Sequence, residues 1–564
     1  MDILGISAFY HDAAAALLRD GIPLAAAQEE RFSRHKHDAS FPRRAIRYCL
    51  REARIHARDL DYVVFYEKPL RRFERILATQ LQAFPRSAKA FSKAMFLWLG
   101  DRLWLKNRIA SELGIDPSRI LFTEHHQSHA ASAFFASPFE EAAVLVADGV
   151  GEWATTTLAR GHGSSLELLE EIRFPHSLGL FYSAVTAFLG FRVNDGEHKV
   201  MGLASYGRPR YSDELARLVH FEDGAYTLDL SAFRFTFDPD KSFGEGLTRI
   251  LGPPRAPEDP VLYQGKDSRH ADIAASLQRV LEDSMLTLLH ELKRRVPSEN
   301  LCLAGGVGLN VVANARLLKE GPFQRLFVQP AAGDAGGALG AALHVWHAQM
   351  GKPRAYRMEH AFLGESVRPA PDDGALTLDD EDKRIDRMVD ALLKGQTIGW
   401  VRDRFEWGPR SLGHRTLLAD PRRPNMRDHI NSVIKRRELF RPLAPAVAAE
   451  QADRYFIVPS GGESPARFML LSTDTHDDAV EKIPSVLHID RSARVQLVHA
   501  EVDPLFHRLL TRFGEASGVP VLLNTSLNGR GEPIVRGERD ALELLHRSQL
   551  DMLVVEDRIY TSTT

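Results

Sequence analysis

Two histidines stand four residues apart in EHHQSHAASAFF. On a helix His125 and His129 would share a face with their Cβ atoms roughly 5–6 Å apart, close enough to pinch one metal ion. The plainer alternative is that one ring caps the helix and the other bonds locally; no glutamate completes the HExxH metalloprotease pattern. Further ligands are on offer in Asp148 of VADGVGE and Asp334 of AAGDAGG. Each follows an apolar strand and so sits at a C-terminal sheet edge, where α/β folds gather ligands, although structural turn aspartates look the same. Two imidazoles and two carboxylates would make a hard-to-borderline set, favouring iron(II), manganese or zinc over copper(I) or a cluster.

Two other motifs suit anions. In LAGGVGLN the pair Gly305-Gly306 ends a strand and opens a helix, a place where backbone N–H groups suit a phosphate or ribose. It is neither a Walker loop nor a GxGxxG fingerprint. Three polar clusters follow: RFEWGPRSLGHR (404–415), KRRELFRPLAP (435–445) and NTSLNGRGEPI (524–534). Arginine forks bind phosphate bidentately, Lys435 adds a point charge, and Asn524, Thr525, Ser526 and Asn528 offer neutral hydrogen bonds. These arginines alternate with Phe, Trp, Pro and Gly, unlike an ordinary solvated face, and describe an oxyanion pocket.

The elements that must position these residues read as α/β. ILGIS, AAAALL and IPLAAAQ form strands separated by a polar loop and by Asp20-Gly21, and AAVLVADGVGEWATTTLARG repeats the pattern, which suggests a duplicated two-lobed fold. Residues 69–113 show helical spacing with a basic face and exposed-looking aromatics, expected as a solvated or interface helix pair. Residues 207–268 look like an irregular insertion, 272–295 like a strongly amphipathic core helix, and a further helix is expected from about 310. The Pro-rich, acidic stretch 352–385 marks a domain boundary; beyond it, residues 401–445 carry eleven Lys or Arg against five Asp or Glu.

Composition narrows the classes. A chain of 564 residues with 44% apolar and 26% charged side chains fits two or three folded domains and excludes a small binding module or a disordered chain. Net charge is -3, giving no global pull toward nucleic acid or an anionic membrane. Cys49 and Cys302 are the only cysteines, so a disulfide framework and thiolate zinc clusters are excluded. With neither a signal-peptide pattern nor a long apolar run, a cytoplasmic protein is expected.

In order along the chain, FYHDAAAALLRDG, AAAQEERFSRHKHD, HHQSHAASAFF, VLVADGVGEW, EHKVMGLASYG, DIAASLQ, LAGGVGLN, GDAGGALGAAL, FEWGPRSLGHRTLLADPR, KRRELFRPLAP, HIDRSARVQ and NTSLNGRGEP carry a resemblance. They resemble the O-carbamoyltransferases of antibiotic and nodulation-factor biosynthesis, with Ser205 and Leu527 as small departures. The resemblance implies an actin-like, duplicated N-terminal domain (1–355) of the threonylcarbamoyl-transferase type, a linker (356–385) and a smaller YrdC-like α/β C-terminal domain (386–564). It further implies that the C-terminal domain converts carbamoyl phosphate and ATP, with Mg, to a carbamoyl-adenylate through Arg410, Arg415, Lys435, Arg441, Asn524 and Arg530. The N-terminal domain would then pass the carbamoyl group to a hydroxylated small molecule, the two working as separated chambers.

By the same resemblance His125, His129, Asp148 and Asp334 bind the divalent metal, and Gly305, Gly306 and Asn310 sit by the nucleotide. His11 would be the general base with Asp12 orienting it, against a plain turn-stabilising HD pair, and Lys36 and Lys199 would contact acceptor, phosphate or nucleotide. No nucleic-acid or membrane partner is expected; oligomeric state stays open, a homodimer being one option. Rival readings are a tRNA N-threonylcarbamoyl-type transferase and a non-enzymatic actin-like nucleotide-binding regulator.

Overall fold

A computed structural model describes residues 1–100, 102–238, 240–265, 267–368 and 375–561, so residues 369–374 of the expected linker lie outside the described residues. Strands β1 (Asp2–Ser7), β2 (Ala14–Arg19) and β3 (Ile22–Gln28) form an antiparallel meander, and β4 (Tyr62–Phe65) and β5 (Ile120–Phe122) run parallel to β1 in the order β3-β2-β1-β4-β5. The β2–β3 turn is Asp20-Gly21, with φ of 52° and 83°, the paired left-handed conformation of a tight hairpin.

The same arrangement recurs. Strands β6 (Glu141–Ala147), β7 (Ala154–His162) and β8 (Ser165–Arg173) are antiparallel, β9 (Asn300–Ala304) and β10 (Arg325–Val328) run parallel to β6, and the order is β8-β7-β6-β9-β10. The duplication expected from two hairpins is therefore present strand for strand.

Each lobe's last strand feeds a buried helix: α1 (His125–Phe134) after β5, and, beyond the 27-residue α2 (Arg269–Arg295), α3 (Asp334–His344) after β10. Helix α2 matches its sequence reading, with Asp272 in the first turn, Lys293, Arg294 and Arg295 in the last, and one apolar face buried. Helices α1 and α3 pack so closely that a Cβ on Gly340 would fall 1.8 Å from the Ser128 carbonyl oxygen, so the small residues of DAGGALGAAL are a packing requirement. Residues 69–113 are helical as expected, over Pro69–Gln82, Ala88–Gly100 and Leu105–Leu113. Residues 207–268 are more ordered than their lack of period implied, holding a hairpin (Val219–Glu222 with Ala225–Leu228) and a helix, Glu245–Leu251.

The remaining chain builds one mixed sheet from β11 (Leu376–Thr377), β12 (Ile398–Val401), β13 (Arg415–Ala419), β14 (Ala444–Ala448), β15 (Gln496–Val498), β16 (Val521–Ser526), β17 (Met552–Val555) and β18 (Arg558–Thr561), ordered β11-β18-β17-β12-β13-β16-β14-β15. Helices Glu381–Leu393 and Pro504–Ser517 cover one face through Met388, Leu392, Phe506 and Phe513. This sheet does not hang on a tether. Phe405, Trp407, Phe440 and Leu470 belong to the lobes' own apolar core, and Arg31 Nη2 donates to the Gly408 carbonyl at 2.8 Å while Asn314 Nδ2 donates to that of Leu470 at 2.9 Å.

Candidate active site

The pseudo-symmetric lobes bring their loops to one place. His125 and His129 stand on the first turns of α1, Asp334 opens α3, and Asp148 directly follows strand β6, so two residues come from each lobe. Their ligand atoms lie within 4.8 Å of one another. His125 Nε2 is 3.1 Å from Asp148 Oδ2 and 3.1 Å from His129 Nε2, which is 3.5 Å from Asp334 Oδ1. All four side chains are buried, and neither oxygen of Asp334 has a hydrogen-bond partner, a costly state for a buried carboxylate. The Gly306 N–H fixes the other Asp148 oxygen at 2.9 Å.

The electrostatics describe carboxylates and imidazoles compensating one another in a dry place. Burial pushes the His125 imidazole down, yet the Asp148 hydrogen bond and the Asp334 charge hold it up at about 9. Against the upward push of burial, the His125 hydrogen bond and the His129 charge keep Asp148 well below the usual carboxylate range. A divalent cation among the same four atoms would replace those protons, leaving neutral imidazoles to bind through Nε2; the residues present fit such an ion.

His11 joins this end from the β1–β2 loop, its Nε2 3.8 Å from Asp334 Oδ2 and its Nδ1 3.0 Å from Asp12 Oδ2. Burial lowers the ring's proton affinity, but Asp334 and the Asp12 hydrogen bond carry it up to about 10. A chain continues outward: Asp12 Oδ1 to His37 Nδ1 at 2.8 Å, His37 Nε2 to Asp195 Oδ1 at 3.2 Å, and Lys36 paired with Asp195. Asp12 and His37 both take left-handed φ, 52° and 57°, conformations that β-carbon residues hold only where surrounding contacts demand them.

The same cavity, about 530 Å³, runs on to a cationic end lined by Arg410, Lys435, Arg437, Arg441 and Arg494. The expectation of separated chambers is thus corrected: a single cavity touches His11, Asp148, Gly306 and Asn310 as well as Asn524 and Arg530, because loops of the sheet unit, with Phe405, Trp407, Phe440 and Leu470, pack into the lobes' apolar core. Lys435 Nζ donates to the Ser526 carbonyl, to Ser526 Oγ at 3.1 Å and to Asn528 Oδ1 at 2.9 Å, and burial with Arg437 and Arg441 nearby pushes it well down. Burial and Arg441 push Arg410 down to about 10, while burial, Arg410 and Arg437 push Arg494 well down. Guanidinium groups do not give up their protons in proteins, so these pushes express the cost of burying crowded cations, first through lost hydration and then through mutual repulsion, which a bound anion would offset. The Nε atoms of Arg410 and Arg494 are buried without partners.

Other expected residues fall as follows. Arg415 does not line the cavity: its guanidinium donates only to backbone carbonyls, those of Arg536 (2.8 Å), His414 (3.0 Å), Asp403 (3.0 Å), Glu365 (3.2 Å) and Arg402, so it stitches loops together and has no N–H left for phosphate. Asn524 sits on the cavity wall with its amide bonded to Gln496 Oε1 at 2.6 Å. Asn310 caps helix Val311–Glu320 and exchanges hydrogen bonds with Gln278. Gly305 bends the chain beside Ala147 and does not line the cavity. Lys199 is on the wall, paired with Glu438 at 3.0 Å, and its neighbour His198 accepts from Arg441 Nη2 at 2.7 Å. Sequence reasoning missed Arg437, Arg494, His37 and Asp195. Arg437 and Arg494 lay inside the quoted KRRELFRPLAP and HIDRSARVQ motifs, but which arginines turn inward depends on the sheet.

Comparison with known proteins gives two family matches: residues 2–343 match the carbamoyltransferase N-terminus and residues 389–562 the carbamoyltransferase C-terminus. An uncharacterised protein of Synechocystis, sll1178, is 45% identical over all of this chain and 97% of its own length. Nodulation protein NolNO of Sinorhizobium fredii is 37% identical, over 97% of this chain and 78% of its own. A 3'-hydroxymethylcephem-O-carbamoyltransferase of Amycolatopsis lactamdurans is 32% identical over 60% of this chain and 65% of its own.

Proposed function

The chain belongs to the carbamoyltransferase family, and we propose that it is an ATP-dependent O-carbamoyltransferase: at its cationic end water releases inorganic phosphate from carbamoyl phosphate, the carbamate oxygen attacks the α-phosphorus of ATP and expels pyrophosphate to give carbamoyl-adenylate, and the carbamoyl group then passes to an alcohol of a small natural product. The observation that carries this reading is the single cavity whose two ends have opposite electrostatic needs. Arg410, Arg437, Arg441, Arg494 and Lys435 suit carbamoyl phosphate and the ATP phosphates, which are polyanions that relieve the crowding of these cations. A YrdC-like activation domain and an actin-like transfer domain are the finer form of this proposal.

In the transfer step the acceptor hydroxyl oxygen attacks the carbamoyl carbon, the bond from that carbon to the adenylate oxygen breaks, and AMP leaves with the electron pair. His11, oriented through Nδ1 by Asp12, takes the hydroxyl proton at Nε2. His125, His129, Asp148 and Asp334 would hold a divalent cation, which would supply Lewis-acid charge there and offset the Asp334 carboxylate that keeps His11 protonated. His37 steadies Asp12 from behind, and Lys36, Lys199, Gly306 and Asn310 line the same cavity. The experiment is incubation of the purified protein with carbamoyl phosphate and ATP, followed by mass spectrometry for carbamoyl-adenylate and an assay for pyrophosphate. Formation of both is expected; no adenylate with metal and Mg present would overturn the proposal.

A further inference from the structure

The hairpin of helices Pro69–Gln82 and Ala88–Gly100, with the turn at Arg102–Trp104, takes no part in the cavity. Its surface is unlike the rest. Among the described residues it carries seven of the fourteen exposed large apolar side chains, including Leu70, Phe84, Phe96, Leu99 and Trp104, with Phe96 87% exposed. Residues 69–108 also hold nine Lys or Arg against Glu74 and Asp101, in a chain whose net charge is -3. Lys89 is paired with Asp240 and Arg71 with Glu124, whereas the exposed Lys93 and Lys106 carry no ion pair among the described residues.

Leaving such side chains in water is unfavourable relative to burial, and a soluble chain normally scatters them. Clustered aromatic and leucine side chains beside basic ones are the composition of a helix that lies in a lipid headgroup layer. RNA would use the same cations and could stack on Phe84, Phe96 and Trp104, but it offers nothing to cover the exposed Leu70, Leu81, Leu97 and Leu99. The basic excess also disfavours a second copy of the same positive hairpin as the covering surface, because like charges would face each other.

We propose that this hairpin is a peripheral docking surface for an anionic lipid bilayer: Phe96, Leu99 and neighbouring apolar side chains enter the headgroup boundary while Lys93 and Lys106 meet lipid phosphates. The hairpin's base is fastened to the cavity loop, with Arg72 over the Tyr10 ring at 5.3 Å and Arg102 over the Phe9 ring at 3.9 Å, so a docked hairpin would hold the active site at a fixed attitude to the surface.

The test is co-flotation of the full chain with vesicles of phosphatidylcholine alone and with added phosphatidylglycerol, at low and high salt. Binding to the anionic vesicles should exceed binding to the zwitterionic ones by about tenfold and weaken with salt. The double substitution Phe96→Ser, Leu99→Ser should remove flotation, and Lys93→Glu, Lys106→Glu should remove the anionic preference, both with unchanged melting temperatures. Three results would overturn the proposal: no flotation of the intact chain, a dimer by light scattering that the serine variant dissolves, or tight binding to an RNA oligonucleotide without binding to vesicles.

Discussion

The two ends of the cavity solve burial of charge in opposite ways. At the lobe end, two imidazoles and two carboxylates lie within 4.8 Å, each sign answered by the other and short of one compact cation. At the sheet end, four arginines and a lysine share a wall where Glu438 is engaged by Lys199 and Asp195 by Lys36 and His37, and the repulsion that remains calls for an anion. The contrast teaches that one cavity can bind two chemically unlike ligands because its self-compensated end is preorganised by backbone, while its uncompensated end stays poised against its own stability.

The largest effect that would break this contrast is His129→Ala. It should remove bound metal, read by elemental analysis, and depress carbamoyl transfer by about a thousandfold while adenylate formation stays within about twofold. Equal loss of both half-reactions would mean that the ends do not work separately.

A sharper probe is Arg494→Met, for which activity and stability should move in opposite directions. Activation should fall by about a hundredfold, as expected for loss of one charge-assisted contact to a phosphoryl group. The ligand-free melting temperature should rise by about a few degrees, because a crowded, partnerless cation is gone. Pyrophosphate should raise the melting temperature of the parent chain more than that of the variant. A variant that melts lower without ligand would show the arginine to be structural.

The smallest effect is in pH. His11 and His37 are both lifted from 6.5, to about 10 and about 9, so the stability they contribute is fully present below about pH 6.5 and is lost as pH rises through those lifted values. Melting curves of the metal-free chain should hold steady near pH 6 and decline toward pH 9–10, and His37→Asn should flatten part of that decline. A decline confined to acid pH would contradict the placement of these rings against carboxylates.

Much of this was legible from residue types. Two Asp-Gly hairpins announced the duplicated lobes, and the four-residue histidine spacing offered two of the clustered side chains as a local pattern, whereas Asp148 and Asp334 were strand-end candidates whose assignment to the same site came from the family resemblance. The cationic end was legible only as motifs. Arg415 looked like Arg410 in sequence, yet it lies on β13 among carbonyls while Arg410 lies on the loop that reaches the cavity. His37 and Asp195 were invisible, since they meet Asp12 across sequence separations of 25 and, through His37, a further 158 residues. The basic face and exposed aromatics of 69–113 were legible as a helix pair, but the net charge averaged over the whole chain gave no reason to expect an anionic surface as its partner.

The crossing of α1 and α3 leaves space for a hydrogen and nothing larger between Gly340 and the Ser128 carbonyl. That contact works as a rivet. It bars the two rods from sliding or rolling, so the gap between the imidazole pair on one and the carboxylate heading the other is inherited from main chain, a caliper set to width before any ligand comes to it.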